Sequence, residues 1–240
     1  MLQRLDKVIS TSEYSRSEAQ ELIKKGFVRV NGIIVRDRGA KTDTDTDEIT
    51  VNGKRIDTDR FIYLMLNKPK GYVSATDDRN QKTVIDLVPP EYMRKNLFPA
   101  GRLDMTTTGF VLITNDGDFA HRILSPKNHI EKTYEARLAQ TVTQEMLESV
   151  ADGIELKDGT VCKSAKLRVL EYGDNPLVEI KIVEGKYHQI KRMFAAAGNG
   201  VIELKRTQMG NLRLDETLEE GQLRVISADE LLQLGQRADR

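Results

Sequence analysis

In Gly101-Arg-Leu-Asp104, followed by Met105-Thr-Thr-Thr-Gly109, a guanidinium and a carboxylate share one glycine-flanked stretch ahead of a hydrophobic run. Such a loop can open an ionised carboxylate to a substrate, with the arginine near enough to favour its charge. Asp104 can equally cap a turn through the threonines, and composition does not separate the two. A second acid, Asp116, stands in Thr114-Asn-Asp-Gly117, where turn chemistry accounts for it without function. The third candidate is basic. Over residues 188–197, Ile190, Met193, Phe194 and Ala197 fall at i, i+3, i+4 and i+7, one face of a helix that Gly198 stops. At about 100° per residue, His188, Lys191 and Arg192 lie within roughly 100° of one another on the opposite face. That face could meet an anion or a carboxylate, or could be solvated surface. Tyr134, in Glu131-Lys-Thr-Tyr134, reads as half-buried strand packing or, beside an RNA site, as a ring for a flipped base.

The elements that must position these residues read as α+β. Residues 61–66 and 110–114 have the pattern of buried strands, 178–183 that of a strand with alternation, and 115–117 turn the chain into a helix running to about Leu124. Asn67-Lys-Pro-Lys-Gly71 reads as a basic turn, and residues 84–88 as a short element closed by Pro89-Pro90. No dinucleotide-binding, P-loop, zinc-protease or serine-hydrolase signature occurs.

The first thirty-odd residues spell helix, helix, hairpin. Leu5, Val8 and Ile9 repeat at helical spacing; Ser15-Arg-Ser-Glu18 is a capping box, and Ala19, Leu22 and Ile23 continue to a stop at Gly26. Asn31-Gly32 is the turn of a hairpin between 27–30 and 33–35. Arg4, Lys7, Arg16, Lys24, Lys25 and Arg29 occupy polar positions of this module. The acidic, turn-rich run from Asp43 through Asp47 to Asp59 is expected to end it and begin a linker. Asp43, Asp45 and Asp47 alternate as in an EF-hand loop, but Glu48 stands where its glycine is needed and Lys54 where its bidentate glutamate is needed, which argues against calcium.

Composition bounds the class. The chain has 240 residues, 39% hydrophobic, with 37 basic and 37 acidic side chains, as expected for a soluble globular protein of one or two domains. Its longest hydrophobic run, 61–66, falls far short of the roughly 20 residues that span a membrane, and its start lacks the build of a secretory signal, so a cytoplasmic location is expected. One cysteine, Cys162, excludes an internal disulfide and any multi-cysteine metal site. Zero net charge hides a pattern: residues 1–40 hold eight basic against five acidic side chains, residues 181–213 seven against two, and residues 215–240 three against seven. Separate basic surfaces suit a polyanion held at chosen places.

Two resemblances sharpen this. Arg4-Leu-Asp-Lys-Val8, Ser15-Arg-Ser-Glu-Ala-Gln20 and Val28-Arg-Val-Asn-Gly32 resemble the S4 RNA-binding domain, whose paired helices present basic side chains to structured RNA. End to end, the chain resembles the RsuA family of pseudouridine synthases, through Asn67-Lys-Pro-Lys-Gly-Tyr72, Gly101 to Gly109, Ser125-Pro126 with Glu131-Lys-Thr-Tyr134, Glu184-Gly-Lys-Tyr-His-Gln-Ile-Lys-Arg-Met193, and Leu204-Lys-Arg with Met209-Gly210. The resemblance implies an S4 domain at 1–59 and a catalytic domain at 60–240, with a mixed, mainly antiparallel sheet flanked by helices. It implies isomerisation of a uridine in ribosomal RNA to pseudouridine, without metal or cofactor and away from membranes. Asp104 matches the essential aspartate, Lys191 its basic partner, Tyr134 the ring that packs on the base, Arg102 the residue that helps extrude the nucleotide, and Leu204 an apolar contact to the base. His188 and Arg192 are expected at the substrate as phosphate or structural contacts. The small-subunit branch fits best, which implies uridine 516 of 16S ribosomal RNA in a partly assembled subunit. The alternatives are a synthase acting on 23S ribosomal RNA, a non-catalytic S4-type ribosome-assembly factor, and a two-carboxylate glycosidase using Asp104 and Asp116.

Overall fold

The computed structural model describes residues 2–10, 12, 14–44, 46–56 and 61–235. The chain forms two compact units, Met1–Ile62 with Val88–Leu97, and Tyr63–Leu87 with Phe98–Arg240. The boundary expected at residues 59 and 60 lies outside the described residues.

The first unit runs β1 (Leu2–Arg4), α1 (Leu5–Ile9), α2 (Arg16–Lys25), β2 (Val28–Val30), β3 (Ile33–Ile34), β4 (Lys41–Asp43), β5 (Ile49–Val51) and β6 (Lys54–Arg55). The capping box closes reciprocally, Ser15 accepting from the Glu18 amide while the Glu18 carboxylate accepts from the Ser15 amide, and Gly26 ends α2 at φ 80. Asn31 and Gly32, at φ 52 and 79, make the turn that the hairpin twist demands. Leu5, Val8 and Ile9 meet Ala19, Ile23, Val28, Ile49 and Val51 in one core.

Two of these core residues correct the sequence reading. The chain does not pass into a linker directly after Asp47: β5 and β6 follow it within the first compact unit and complete a sheet of order β3-β2-β5-β6, while β1 pairs with β4. Asp47 builds the turn between β4 and β5, accepting from the Asp43 amide at 2.7 Å and from Thr42 Oγ1 and Asn31 Nδ2 at 2.9 Å each. Asp45, Asp57 and Asp59 lie outside the described residues. Ile49 and Val51, buried at strand spacing, were hidden in a three-residue element too short to show a period.

Asp6 is wholly buried beneath α2 residues. It accepts both forks of Arg4 at 3.0 Å and Gln20 Nε2 at 3.1 Å, with Arg16 at 3.7 Å. The Arg4 guanidinium holds its carboxyl below the usual 3.8, against the opposing effect of burial. Asp6→Ala is expected to lower stability by about 2 kcal/mol, read as a lower urea midpoint at pH 7. In wild type this contribution is present above pH 3.8 and fades as acid protonates the carboxylate.

The second unit runs β7 (Tyr63–Lys68), β8 (Phe98–Ala100), β9 (Thr108–Thr114), α3 (Gly117–Leu124), β10 (Lys132–Leu138), α4 (Gln144–Asp152), β11 (Lys166–Glu171), β12 (Leu177–Ile182), α5 (Gln189–Ala196), β13 (Val201–Met209), β14 (Leu212–Arg213), β15 (Leu223–Val225) and α6 (Ala228–Leu234). One sheet carries the order β11-β12-β10-β13-β9-β7-β15, with β8 beside β9 and β14 beside β13. Among the described strands of this sheet only β9 and β13 pair in parallel; the remaining pairs are antiparallel. Phe119, Ala120 and Ile123 of α3 and Leu234 of α6 pack with Met65, Phe110, Leu112 and Met209 of the central strands.

The parallel pair places the site. Gly109 faces Arg206 across it, and a Cβ at Gly109 would stand 2.2 Å from the Arg206 carbonyl oxygen at φ +98, so only glycine lets the strands approach. The Asp104 loop feeds directly into β9, so it arrives beside β13, next to β10. Two expectations change. Asn67 and Lys68 are not in a turn; they end β7 and are 3% and 0% exposed. His188 is not the first helical residue but the N-cap of α5, in left-handed conformation at φ 48.

Candidate active site

The Asp104 loop is fastened from beneath. Ser74 Oγ donates to the Leu103 carbonyl at 3.1 Å and accepts from the Leu103 amide at 3.0 Å. The Gly71 amide donates to the Met105 carbonyl at 2.9 Å, and the Thr107 amide to the Asp104 carbonyl at 3.0 Å. The buried Lys68 ammonium completes the support, donating to the carbonyls of Thr107 (2.8 Å), Pro69 (3.0 Å) and Met105 (3.4 Å). Burial pushes Lys68 down to about 8, against the opposing pull of Asp104. At neutral pH it therefore remains the ammonium whose three N–H groups fit three acceptors.

A turn thus held exposes one carboxylate. The Asp104 side chain is 27% accessible, with His188 Nε2 3.3 Å from Oδ1 and Lys191 Nζ 3.4 Å from Oδ2. Lys191 also donates to Thr106 Oγ1 at 2.7 Å, so the lysine spans the loop it serves. A lysine makes a single-point contact rather than the bidentate fork an arginine can make, leaving each carboxylate oxygen lone pairs free to face the pocket.

The segment before α5 is equally constrained. Glu184 Oε1 accepts from Gln189 Nε2 at 2.6 Å and from the Lys163 amide at 2.9 Å, and Gln189 Oε1 accepts from the Lys186 amide at 2.9 Å. Ile190, Met193 and Phe194 are buried, and Ala197 is half-buried, as the helical spacing predicts.

Asp104, Arg102, Tyr134, His188 and Leu204 line one pocket of about 80 Å³ together with Leu103, Thr107, Ile182 and Ile190. Tyr134 and Leu204 are nearly buried, whereas Arg102 is exposed. Arg192 points elsewhere: its guanidinium pairs with Asp158 at 2.5 Å and donates to the Tyr187 carbonyl at 3.3 Å. Asp116 caps α3, accepting from the Phe119 amide at 2.9 Å and from the Tyr63 hydroxyl at 2.6 Å. Both its oxygens are engaged in the fold, which leaves the two-carboxylate reading without its second acid.

Two residues of the site carried no role in the sequence reading. Lys68 sat in a recognised motif but was placed in a turn. Arg206, also in a recognised motif, is buried behind Tyr134: Nε donates to the Phe110 carbonyl at 2.7 Å, Nη1 lies 3.5 Å from the Tyr134 hydroxyl, and the guanidinium carbon lies 5.9 Å from the ring centre. Its Nη2 has no partner among the described residues. The signal was strand alternation, since Leu204 and Arg206 share one face of β13. Lys132, on the same strand as Tyr134, is pushed down to about 8 by burial, with Arg206 adding to the effect.

Of the basic residues in the first unit, Lys7, Lys24, Lys25 and Arg29 are exposed, Lys25 lying 3.6 Å from Glu21 and Arg29 donating to the Gly32 carbonyl. Arg4 and Arg16 are turned to Asp6.

Residues 62–196 match the RNA pseudouridylate synthase family, and residues 3–43 match the S4 domain. An uncharacterized RNA pseudouridine synthase of Bacillus subtilis, YtzG, is 45% identical over 95% of this chain and 96% of its own. The ribosomal small subunit pseudouridine synthase A of Pasteurella multocida is 42% identical over 95% and 97%, and the ribosomal large subunit pseudouridine synthase B of Bacillus subtilis 38% identical over 99% and 98%. A crystal structure of a pseudouridylate synthase superposes with a TM-score of 0.68 at 40% identity, covering 96% of this chain and 99% of that one. A half-exposed carboxylate held between a lysine and a histidine, a ring at the pocket wall and these matches along the whole chain agree: the chain belongs to the RNA pseudouridylate synthase family and carries an S4 domain ahead of the synthase domain.

Proposed function

We propose that this protein isomerises a uridine of ribosomal RNA to pseudouridine, with Asp104 as its essential residue, and that its target is uridine 516 of 16S ribosomal RNA in a partly assembled small subunit. The observation that carries the reading is the geometry of Asp104: one accessible carboxylate, in a pocket with Tyr134 and Leu204, with cationic or hydrogen-bonding side chains on both oxygens. In the reaction the N1–C1′ bond breaks, the uracil turns within the pocket, C5 joins C1′, C5 gives up its proton and N1 takes one up, so that the product is an isomer of the substrate. Asp104 acts on the sugar, as nucleophile at C1′ or as base at C2′, and either role uses the ionised carboxylate. Lys191 holds that charge and fixes its direction through Thr106. Tyr134 and Leu204, which line the pocket, contact the base, Tyr134 handling the C5 proton, and Arg102, exposed at the same pocket, takes the place of the extruded nucleotide. His188 is a contact to Asp104 as well as to the pocket, and Arg192 serves by holding the loop that bears it. The division into an RNA-binding domain at 1–59 and a catalytic domain at 60–240 belongs to this proposal, as does a cytoplasmic location.

Similarity to a relative named for the small subunit, at 42% identity, favours 16S ribosomal RNA; the relative named for the large subunit, at 38%, supports 23S ribosomal RNA as the second reading. Carbodiimide mapping of pseudouridine across both ribosomal RNAs, in cells with and without the gene, separates them. Loss of one stop at 16S position 516 is the expected result. Loss at a large-subunit position selects the second reading, and no change at any position favours a non-catalytic binder or a redundant enzyme.

For the S4 domain, Lys7 and Lys24 are exposed cations on α1 and α2. Replacing both by alanine is expected to reduce the slope of log affinity against log salt by about 2 without changing the rate on saturating RNA. Filter binding across a salt series reads it, and an unchanged slope would show that this face does not touch the backbone.

A further inference from the structure

We propose that Tyr187, stacked on His188, is a platform for an unpaired nucleobase adjacent to the uridine that enters the pocket; the proposal rests on the RNA-modifying function above. Tyr187 is 75% exposed although it is a large aromatic side chain. Its ring lies 3.8 Å from the His188 ring at an interplanar angle of 18°. One face is therefore covered by an imidazole and the other is open. Its hydroxyl makes no hydrogen bond among the described residues, so neither burial nor a polar contact accounts for the ring's position.

What accounts for its rigidity is the segment beneath. Arg192 grips the Tyr187 carbonyl and is itself tied to Asp158. Lys186 and Gln189 close the turn on either side. His188 is set in left-handed conformation and reaches Asp104 with Nε2. The stack thus begins at the carboxylate that acts on the sugar and ends in solvent at Tyr187, whose chain neighbours Lys186 and His188 line the same pocket as Arg102.

Extruding a uridine strips its neighbours of one stacking face each. A rigid, open aromatic face at the rim restores that contact, and it does so for any base, because every base has a π-face. Arg102, an exposed cation lining the same pocket, suits a phosphate that flanks such a nucleotide. An unpaired base next to the target, rather than a duplex end or a protein side chain, fits the single open face and the basic surroundings.

The test uses the full chain with 16S and 23S transcripts. Tyr187→Leu is expected to raise KM for the modified transcript about tenfold, with the loss falling on KM more than on kcat, and Tyr187→Phe to recover the wild-type value, because the ring and not the hydroxyl binds. Wild-type KM in Tyr187→Leu overturns the proposal. The chain has no tryptophan, so Tyr187→Trp places a single indole at the platform. Quenching of its fluorescence by either transcript supports the proposal, and unquenched fluorescence at saturating RNA overturns it. Should wild type form no pseudouridine on either transcript or on partly assembled subunits, the function proposed above fails by itself, and the quenching still decides the platform.

Discussion

Asp104→Asn is expected to lower the rate of pseudouridine formation by more than about 10³-fold, a loss of about 4 kcal/mol of transition-state stabilisation, while affinity for RNA stays close to wild type. The substitution keeps the shape of the side chain and removes its charge. Lys191 Nζ and His188 Nε2, 3.4 and 3.3 Å from its oxygens, then face a neutral amide that neither attacks the sugar nor takes its proton. Affinity is expected to persist because the exposed Lys7, Lys24, Lys25 and Arg29 of the first unit are elsewhere on the chain and untouched. Tritium release from C5-labelled uridine measures turnover, and filter binding measures affinity. A variant that turned over at the wild-type rate would remove Asp104 from the mechanism, and one that lost RNA binding in proportion to rate would make it a binding residue.

Lys68→Met is expected to cost about 3 kcal/mol of stability and to depress turnover with it. Methionine fills the space but leaves the carbonyls of Pro69, Met105 and Thr107 without the donors that now tie them together. Relief from burying a charge offsets part of that cost. Because two of the three acceptors belong to the turn after Asp104, the loop loosens where it must be rigid. The pH dependence carries the signature. Folding lowers Lys68 from 10.5 to about 8, so between these values the unfolded chain binds a proton that the folded chain has released. Wild-type stability therefore gains from this residue as pH rises from about 8 to about 10.5, and the methionine variant lacks that gain. Urea midpoints of both proteins at neutral and alkaline pH test it: the gap between them should widen in alkali. Parallel curves would show that Lys68 titrates as it does in the unfolded chain.

Both effects depend on residues whose legibility in the sequence differs. Asp104 could be picked out because aspartate beside arginine in a glycine-flanked loop is an unusual local composition, and the motif alone made it a candidate. The face of α5 was equally open to inspection, since Ile190, Met193 and Phe194 repeat at helical spacing and are buried. The same holds for the capping box of α2 and the Asn31-Gly32 turn, which need only residues three or four apart. Lys68 failed for the opposite reason. In Asn67-Lys-Pro-Lys-Gly71 every local signal says turn, and only strand β9 on one side and the Asp104 loop on the other bury the lysine.

By itself, then, the sequence determined the elements with a local period or cap and the α+β class, and offered Asp104 as a candidate carboxylate, because each is encoded in side chains close along the chain. The tertiary structure decided what those side chains touch. It brought Asp104 to His188 and Lys191, some eighty residues away along the chain, and placed Arg206 behind Tyr134 through the β10–β13 pairing. It also turned Arg192 away to Asp158 and gave Asp116 to the cap of α3. The physical reason is that strand pairing and burial, unlike helical spacing and turn chemistry, are set by partners distant in sequence, and a side chain's charge can be used or neutralised only once those partners are in place.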